Sequence, residues 1–310
     1  MTPTPVHEFG TAFMRTSVYR NGAEFAWVRR PGPAYRLPLP DLPARLGALL
    51  GSVHPALSLP VIDDGLRYRS GGALPAAGWL AFDEEPAGPV LESALREIAT
   101  ALAGLHARPA PPQIVRRHPG VTRLAAWFDD RHDAAPAFHL SHRARKRLGR
   151  TRWTRLEELC GQFCAAGGDT LLHGALSMAL IVPSPDGTGV LLTGEDLARG
   201  PWWLDLGWLI AELIELDQAV KAGIAPALDF TYPALCAALL EGYGRTPDLS
   251  AIGGLGVLRV LTHARDYATY VGWDDQLLTY VDIAAVLFDE QIGEVAARAM
   301  TERDPSIPRK

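Results

Sequence analysis

A change of hydrophobic pattern divides the chain and limits the folds open to it. Up to about residue 80, apolar and polar residues alternate in short runs such as TSVYRNGAEFAWVRR, in which Asn21-Gly22 marks a hairpin turn. After the acidic, Pro- and Gly-containing segment DEEPAGP at 83–89, apolar residues recur at helical spacing. The pattern predicts an α+β protein with a small, antiparallel, β-rich lobe at 1–83 and a mostly helical lobe at 84–310.

Several individual elements follow from the same periodicity. In the first lobe, LPARLGALLGSV (42–53) has helical spacing, whereas YRSGGALPAAGWLAF (68–82) is typical of a strand and turns. In the second lobe, helical spacing recurs in VLESALREIATALAGLHA (90–107), RLEELCGQFCAA (155–166), LDLGWLIAELIELDQAV (204–220), TYPALCAALLEGY (231–243) and DIAAVLFDEQIGEVAARAM (282–300).

Composition bounds the class of protein. With 310 residues, 48% of them hydrophobic, the chain can bury a substantial core. A net charge of -5 argues against a surface built for nucleic acid. Three cysteines form no disulfide framework and suit a reducing compartment. Because the sequence has neither a signal-peptide pattern nor an apolar stretch of about 18 residues, we expect a cytoplasmic protein with no membrane association.

Four motifs occur in order along the chain and carry a family resemblance. They are VRRPG at 28–32, LAGLHA at 102–107, LLHGALSMALIV at 171–182 and VLLTGEDLARGPWWLDLGWL at 190–209. In this order and spacing they resemble the aminoglycoside and choline phosphotransferase family. The resemblance covers residues 8–290 and is strongest from 95 to 210. It implies a protein-kinase-like fold, with a nucleotide cleft between two lobes.

The resemblance also implies a catalytic apparatus from which this sequence departs. The family's loop has the form His-Gly-Asp, four residues and Asn, followed by a second Asp after the next strand; the first Asp takes a proton, and the other two residues hold magnesium. His173 and Gly174 match, but Ala175, Leu180 and Thr193 occupy the three catalytic positions. A methyl group cannot accept a proton, and leucine and threonine are poor magnesium ligands. We therefore expect a pseudokinase without catalytic residues, cofactor or metal.

The framework around those positions is retained. Gly200-Pro201 provides a turn, and Asp205 matches a family Asp at a helix start that hydrogen-bonds back to the catalytic loop. An Asp at a helix N-cap also satisfies free backbone N–H groups. Without the acid at position 175, His173 is expected to steady the loop rather than to catalyse. The tryptophans at 202, 203 and 208 suit either a core or an interface.

The first lobe gives a weaker signal for nucleotide binding. Arg29 matches the family's Lys or Arg that pairs with nucleotide phosphates and with a Glu on the lobe's helix, but the helix at 42–53 has no Glu. Arg29 is therefore either a phosphate clamp or a surface residue on a strand. The segment 9–12, Phe-Gly-Thr-Ala, lies where a phosphate-covering loop belongs, but it contains a single glycine. We do not expect ATP to bind.

Two enzymatic alternatives stay open. Glu195 and Asp196 follow Thr193 closely and could replace the missing metal ligands, which would give an ATP- and magnesium-dependent phosphotransferase acting on a hydroxyl of a small molecule or peptide. A metal-independent enzyme that uses the cleft for other chemistry is the second. Cys160 and Cys164 could share a metal at helical i, i+4 spacing, but buried apolar cysteines are the favoured interpretation.

A basic segment, HRARKRLGRTRWTR at 142–155, is the remaining feature that could indicate a function. Read as a continuous helix, it places Arg143, Arg147 and Arg150 on one face. It is either a solvated helix face or a binding surface for an acidic peptide or protein, a phosphorylated group or RNA. Its candidate binding residues are Arg143, Arg145, Lys146, Arg147, Arg150 and Arg152, with Arg155 at the end.

The leading hypothesis for function combines these features. It is a degenerate phosphotransferase homologue that binds or scaffolds a partner through the basic segment, or a small-molecule ligand in the cleft. Some proteins similar to this family act in bacterial peptide natural-product pathways, which by analogy is one setting for such a role.

Overall fold

An antiparallel sheet dominates the first lobe of the computed structural model, which describes residues 4–36, 39, 44–82, 87–131, 134–226, 230–291 and 293–301. Its strands run in the order β1-β2-β3-β6-β5, each antiparallel to its neighbours. Asn21 pairs with Glu24 across a tight turn in which Gly22 has a φ of 65°, so the predicted hairpin is confirmed. The strands are β1 (His7–Gly10), β2 (Met14–Asn21), β3 (Glu24–Pro31), β5 (Val61–Ile62) and β6 (Leu66–Ser70).

One face of this sheet is filled by large side chains of the lobe itself. Side chains alternate along a strand, so Trp27 and Arg29 share a face of β3. Trp27 pairs with Tyr68 of β6, and both are fully buried. The indole Nε1 of Trp27 donates a hydrogen bond to the carbonyl oxygen of Gly72 at 3.0 Å. The buried, hydrogen-bonded side chain of Trp27 thus fixes the orientation of the face of β3 from which Arg29 extends.

The described residues of the first lobe also form two helices, α1 (Ala44–Gly51) and α2 (Ala76–Phe82). Helix α1 agrees with the helix predicted for 42–53, whose first two residues lie outside the described part. The strand-and-turn prediction for 68–82 is wrong at its end: β6 stops at Ser70, and a helix follows from Ala76. Pro75 directly precedes that helix, and its fixed φ favours a helix start.

Helices make up most of the second lobe, as predicted. The segment 282–300 forms two helices rather than one, and Gly293 between them has a φ of 75°. None of the described helices combines the length and apolar character that a membrane crossing requires. The helices are α3 (Ala87–His106), α4 (Pro119–Phe128), α5 (Ala135–Ala165), α6 (Trp203–Lys221), α7 (Tyr232–Tyr243), α8 (Leu249–Tyr270), α9 (Leu277–Asp289) and α10 (Glu294–Thr301).

Two small sheets flank the loops at 173–180 and 193–197, which precede α6 in the chain. In one, β7 (Thr170–Leu172) pairs with β10 (Ala198–Gly200). In the other, β9 (Gly189–Leu192) lies between β8 (Ile181–Pro183) and β4 (Leu57–Ser58), and the pairing with β4 is parallel. Strand β4 therefore ties the first part of the chain to the second. Residues 83–86 of the predicted lobe boundary lie outside the described residues. The α+β class, with a β-rich first lobe and a helical second lobe, is confirmed.

Candidate functional site

A single carboxylate fixes the start of the loop at 173–180, which the family resemblance predicts to correspond to the catalytic loop. Asp205 is fully buried, and its Oδ2 accepts the backbone N–H of His173 at 2.6 Å while Oδ1 accepts that of Gly174 at 3.0 Å. The family resemblance implied this interaction. Asp205 lies in the first turn of α6 rather than at its N-cap, which is Trp202. Gly174 has a φ of 85°, and a Cβ there would overlap the carbonyl oxygen of Asp196, so glycine is required.

Two further side chains hold Asp205 in place. His106 Nε2 lies 3.1 Å from Asp205 Oδ2, and its Nδ1 lies 2.8 Å from the Tyr243 hydroxyl. Because a carboxylate only accepts, Nε2 must carry the proton between His106 and Asp205. Burial opposes ionisation of Asp205, yet the hydrogen bond and charge interaction with His106 keep its pKa below the ordinary value. The LAGLHA motif alone did not indicate this role for its histidine.

The segments that carry positions 175, 180 and 193, where the family resemblance predicts catalytic residues, meet around Leu192. Leu192 donates its backbone N–H to the carbonyl oxygen of Leu180 at 2.9 Å, and Thr193 follows directly. The carbonyl oxygen of Leu192 lies 2.9 Å from His173 Nε2, while the backbone nitrogen of Ala175 lies 3.4 Å from His173 Nδ1. The ring of His173 thus links the two segments from a buried position.

The side chains at these positions offer little to a metal ion. Thr193 is fully buried, and its hydroxyl donates to the carbonyl oxygen of Leu191 at 2.9 Å. Its backbone N–H donates to the carbonyl oxygen of Ser58 at 2.8 Å, which ties it to β4. Leu180 is also buried. Magnesium takes carboxylate and other oxygen ligands in octahedral geometry, which a leucine and an inward-turned threonine do not supply.

Arg29 has an acidic partner that sequence analysis did not find. Its Nη2 donates to Glu195 Oε2 at 3.1 Å, and its Nε lies 2.5 Å from Oε1. The hydroxyl of Tyr68 donates to Oε1 of the same carboxylate at 2.9 Å. The side chains of Arg29 and Glu195 are only 13% and 9% exposed, so this pair joins the lobes away from water. The helix at 42–53 has no Glu to pair with Arg29, and the acidic partner is instead a residue after β9.

Electrostatics in this three-residue cluster favour the paired state. Burial opposes the charge of Arg29, but the charge and hydrogen bond of Glu195 outweigh it and raise the pKa of Arg29 above its ordinary value. Burial, followed by the nearby charge of Glu195, raises the pKa of Tyr68, so its hydroxyl stays protonated and can donate. Glu195 is therefore held by a cation and a neutral donor at once.

Asp196, the second acid of the enzymatic alternative, also has a cationic partner. Its Oδ1 lies 2.5 Å from Nη1 of Arg116, in the loop before α4. Tyr35 lies near enough that, after burial, the charges of Asp196 and Glu195 are the main causes of its raised pKa. Each of the two acids that could replace the metal ligands is therefore paired with an arginine.

The segment 9–12, which lies where the family has a phosphate-covering loop, contacts the second lobe. Gly10 ends β1 with a φ of 143°, and the backbone N–H of Ala12 donates to the carbonyl oxygen of Tyr270, at the end of α8, at 2.9 Å. The ring of Phe13 lies 4.8 Å from that of Tyr270 and 5.0 Å from that of Tyr35. A backbone hydrogen bond and an aromatic cluster thus hold this turn against α8.

A further histidine, His118, lies buried beside Trp208, and no motif in the sequence marked it. Its ring is 4.6 Å from that of Trp208, and neither ring nitrogen has a hydrogen-bond partner among the described residues. Burial, only partly offset by the charge of Asp205, lowers its pKa to about 4. His118 is therefore neutral at neutral pH.

Metal-ligating side chains are dispersed in the described part of the chain. No group of three or more His, Cys, Asp or Glu side chains there is arranged to hold a metal ion. The thiols of Cys160 and Cys164 both point to the carbonyl oxygen of Val121, at 3.6 and 3.9 Å, and Cys160 is buried.

The basic segment 142–155 lies within α5, and acids elsewhere in the chain neutralise part of it. The prediction that Arg150 shares one helix face with Arg143 and Arg147 is wrong, because Gly149 breaks the helical backbone between them. The ion pairs are Arg145–Asp130, Arg147–Asp282, Arg152–Asp289 and Arg155–Glu158. No carboxylate of the described residues pairs with Arg143, Lys146 or Arg150, all of which are exposed. The sequence contained these acids but gave no sign of the pairing.

Comparison with known proteins finds similarity in structure. A spectinomycin phosphotransferase bound to ADP and spectinomycin is 10% identical with a TM-score of 0.49, over 95% of this chain and 92% of that one. A glucosamine kinase bound to glucosamine, ADP and phosphate is 17% identical with a TM-score of 0.49, over 89% and 74%. An ethanolamine kinase from Plasmodium vivax is 9% identical with a TM-score of 0.48, over 93% and 84%. No family model matches the chain, and no curated protein matches it in sequence.

Proposed function

We propose that this protein is a catalytically degenerate, pseudokinase-like phosphotransferase homologue that acts by binding a partner or ligand. On this proposal the cleft no longer transfers phosphate, and the basic segment of α5 is the surface offered to an acidic peptide or protein. A cytosolic setting in a bacterial peptide natural-product pathway belongs to the same proposal and rests on family analogy.

The observation that carries the proposal is the pairing of Glu195 with Arg29 and Tyr68. For Glu195 to bind magnesium, its carboxylate would have to leave both partners in a site where it is 9% exposed. That change would leave the guanidinium of Arg29 buried without a counter-charge. Removing one partner of a buried ion pair typically costs about 3–5 kcal/mol. The substitutions at 175, 180 and 193 support the same conclusion, because they leave neither a base nor a hard ligand.

We expect no phosphoryl transfer from ATP above background, either to water or to hydroxyl-bearing aminoglycosides, choline or serine peptides. The Ala175→Asp variant should remain equally inactive, because restoring the base leaves the metal positions unfilled. Removal of a positioned general base alone typically costs about 10²–10⁴-fold in rate. The measurement is release of labelled phosphate and transfer of label from γ-labelled ATP with magnesium or manganese.

The matched controls for this assay are Glu195→Ala and Asp196→Ala. If the unmodified protein turns over robustly and either substitution abolishes turnover, the proposal is wrong and the displaced-acid phosphotransferase is right. Activity that survives both substitutions would point to the metal-independent alternative. Background rates in all of the proteins are the result that the proposal requires.

Nucleotide with magnesium should not stabilise the protein in a metal-dependent manner. A ligand at about 1,000 times its dissociation constant stabilises a folded protein by about 4 kcal/mol, which a melting curve detects readily. We therefore expect equal melting temperatures with ATP plus magnesium and with ATP plus a chelator. A rise confined to the sample with magnesium would show an intact metal–nucleotide site and contradict the proposal.

A further inference from the structure

Helix α5 bends within the basic segment because of one glycine. Gly149 has φ and ψ of 77° and 164°, a backbone conformation that is essentially restricted to glycine. A Cβ at this position would have no atom within 4 Å, so the backbone conformation rather than lack of space requires the glycine. The bend is therefore encoded locally, between two basic halves of the same helix.

The two arms of the bent helix line a groove of about 550 Å³, here called the α5 groove. Trp153 is almost fully buried, and the guanidinium of Arg145 lies 4.8 Å from the centre of its ring. This contact orients Arg145 along the groove. The lining residues are His142, Arg145 and Lys146 from the first arm and Arg150, Trp153, Thr154 and Glu157 from the second.

The basic residues of the segment fall into two groups, those outside the groove and those that line it. Arg147 and Arg152 do not line the groove and pair with Asp282 and Asp289 of α9, so they hold α5 against its neighbour. Lys146 and Arg150 line the groove on opposite sides of the bend and have no carboxylate partner among the described residues. Although Glu157 also lines it, the groove thus holds two cations without a carboxylate partner in a protein whose net charge is -5.

We propose that the α5 groove binds an acidic segment of a peptide or protein through carboxylates that pair with Lys146 and Arg150. The hydroxyl of Thr154 and the ring of His142 supply hydrogen-bonding groups beside those cations. The proposal rests on the proposed function and narrows it from the whole basic segment to the α5 groove, with Lys146 and Arg150 as the residues that pair with the partner's carboxylates.

A peptide fits this groove better than a nucleic acid. Single-stranded nucleic acids bind to platforms of accessible aromatic rings and to grooves of continuous positive charge. Trp153 is only 4% exposed and lies against Arg145, and Glu157 interrupts the positive charge at one end. Carboxylates spaced along a short peptide require only separate cations, which Lys146 and Arg150 provide.

The test is fluorescence anisotropy with a fluorescein-labelled Glu-Ser-Glu-Ser-Glu-Ser peptide and the full chain. The site variant is Lys146→Glu with Arg150→Glu. The matched control is Arg143→Glu with Arg155→Glu, which changes the net charge equally on the same helix but outside the groove. Circular dichroism and melting curves establish that each variant is folded.

We expect the site variant to weaken peptide binding about tenfold or more, which corresponds to about 1.4 kcal/mol, and the control to change it less than about twofold. Binding should weaken as salt rises, because exposed charges are screened over about 8 Å at physiological ionic strength. A third variant, Gly149→Ala, keeps every charge but strains the bend and should also weaken binding.

Four results would overturn the proposal. They are no binding of the peptide by the unmodified protein, equal loss in the site and control variants, unchanged binding by a folded Gly149→Ala protein, and tighter binding of a single-stranded RNA than of the peptide. These outcomes are separate from the phosphoryl-transfer assay. A protein that neither transfers phosphate nor binds the peptide would support the proposed loss of catalysis and contradict the groove proposal. An active enzyme that binds the peptide would contradict the loss of catalysis and support the groove proposal.

Discussion

The Asp205→Asn variant is expected to lose about 3–5 kcal/mol of its free energy of unfolding. Asp205 accepts hydrogen bonds from the backbone of His173 and Gly174 and from the ring of His106, all without access to water. Asparagine has the same shape but replaces one accepting oxygen with a donor, so at least one of these N–H groups would face another donor. A buried donor left without a partner bears its full desolvation cost.

Chemical denaturation followed by far-UV circular dichroism measures this loss, and Asp217→Asn is the matched control. Asp217 lies on the same helix and pairs with Lys221 at the surface, so its substitution should cost less than about 1 kcal/mol. Because the folded pKa of Asp205 is depressed, its contribution is present above the unfolded pKa of about 3.9 and is lost as the pH falls through the folded value. The difference from the parent should therefore be full at neutral pH and shrink in acid. Equal losses in both variants would contradict the anchoring role.

Local sequence signals were enough to predict most of the elements, and the family resemblance predicted one tertiary contact. The hairpin at Asn21-Gly22 and the helices of the second lobe follow from turn chemistry and periodicity, which act over a few residues. The role of Asp205 came from the resemblance alone, because 32 positions separate it from His173 and no local pattern links the two residues. His106 was visible only as part of LAGLHA; its bonds to Asp205 and Tyr243 depend on how α3, α6 and α7 pack.

The electrostatic partners could not be predicted, because they join residues that are far apart in sequence. Glu195 follows Arg29 by 166 positions, and nothing in either neighbourhood marks the other. Likewise, the acids that neutralise Arg147 and Arg152 lie on α9, far away in sequence. The sequence alone therefore overstated the unpaired positive charge of the basic segment. Gly149, inside the basic run, is a local signal for a break in a helix. The prediction of one helix face for 142–155 used periodicity alone and did not take this glycine into account.

Breaking the Arg29–Glu195 pair should cost far more than breaking its neighbour on the same strand. We expect Glu195→Gln to lower the free energy of unfolding by about 3–5 kcal/mol, because it leaves Arg29 buried without a counter-charge. The matched pair is Arg30–Asp64, with a nitrogen–oxygen distance of 2.8 Å and side chains that are 40% and 63% exposed. Asp64→Asn should cost less than about 1 kcal/mol, since exposed ion pairs contribute little.

Double-mutant cycles would decide whether the Arg29–Glu195 pair serves structure or a metal. In the cycle of Arg29→Gln and Glu195→Gln, we expect a coupling energy of about 1–3 kcal/mol, measured by chemical denaturation without metal, against less than about 0.5 kcal/mol for Arg30→Gln and Asp64→Asn. A carboxylate kept for magnesium would repel Asp196 in the metal-free protein, so its neutralisation should then raise stability. A stabilised Glu195→Gln protein with no coupling to Arg29 would therefore contradict the pseudokinase interpretation, whereas strong coupling would identify Glu195 as the internal counter-ion that links the lobes.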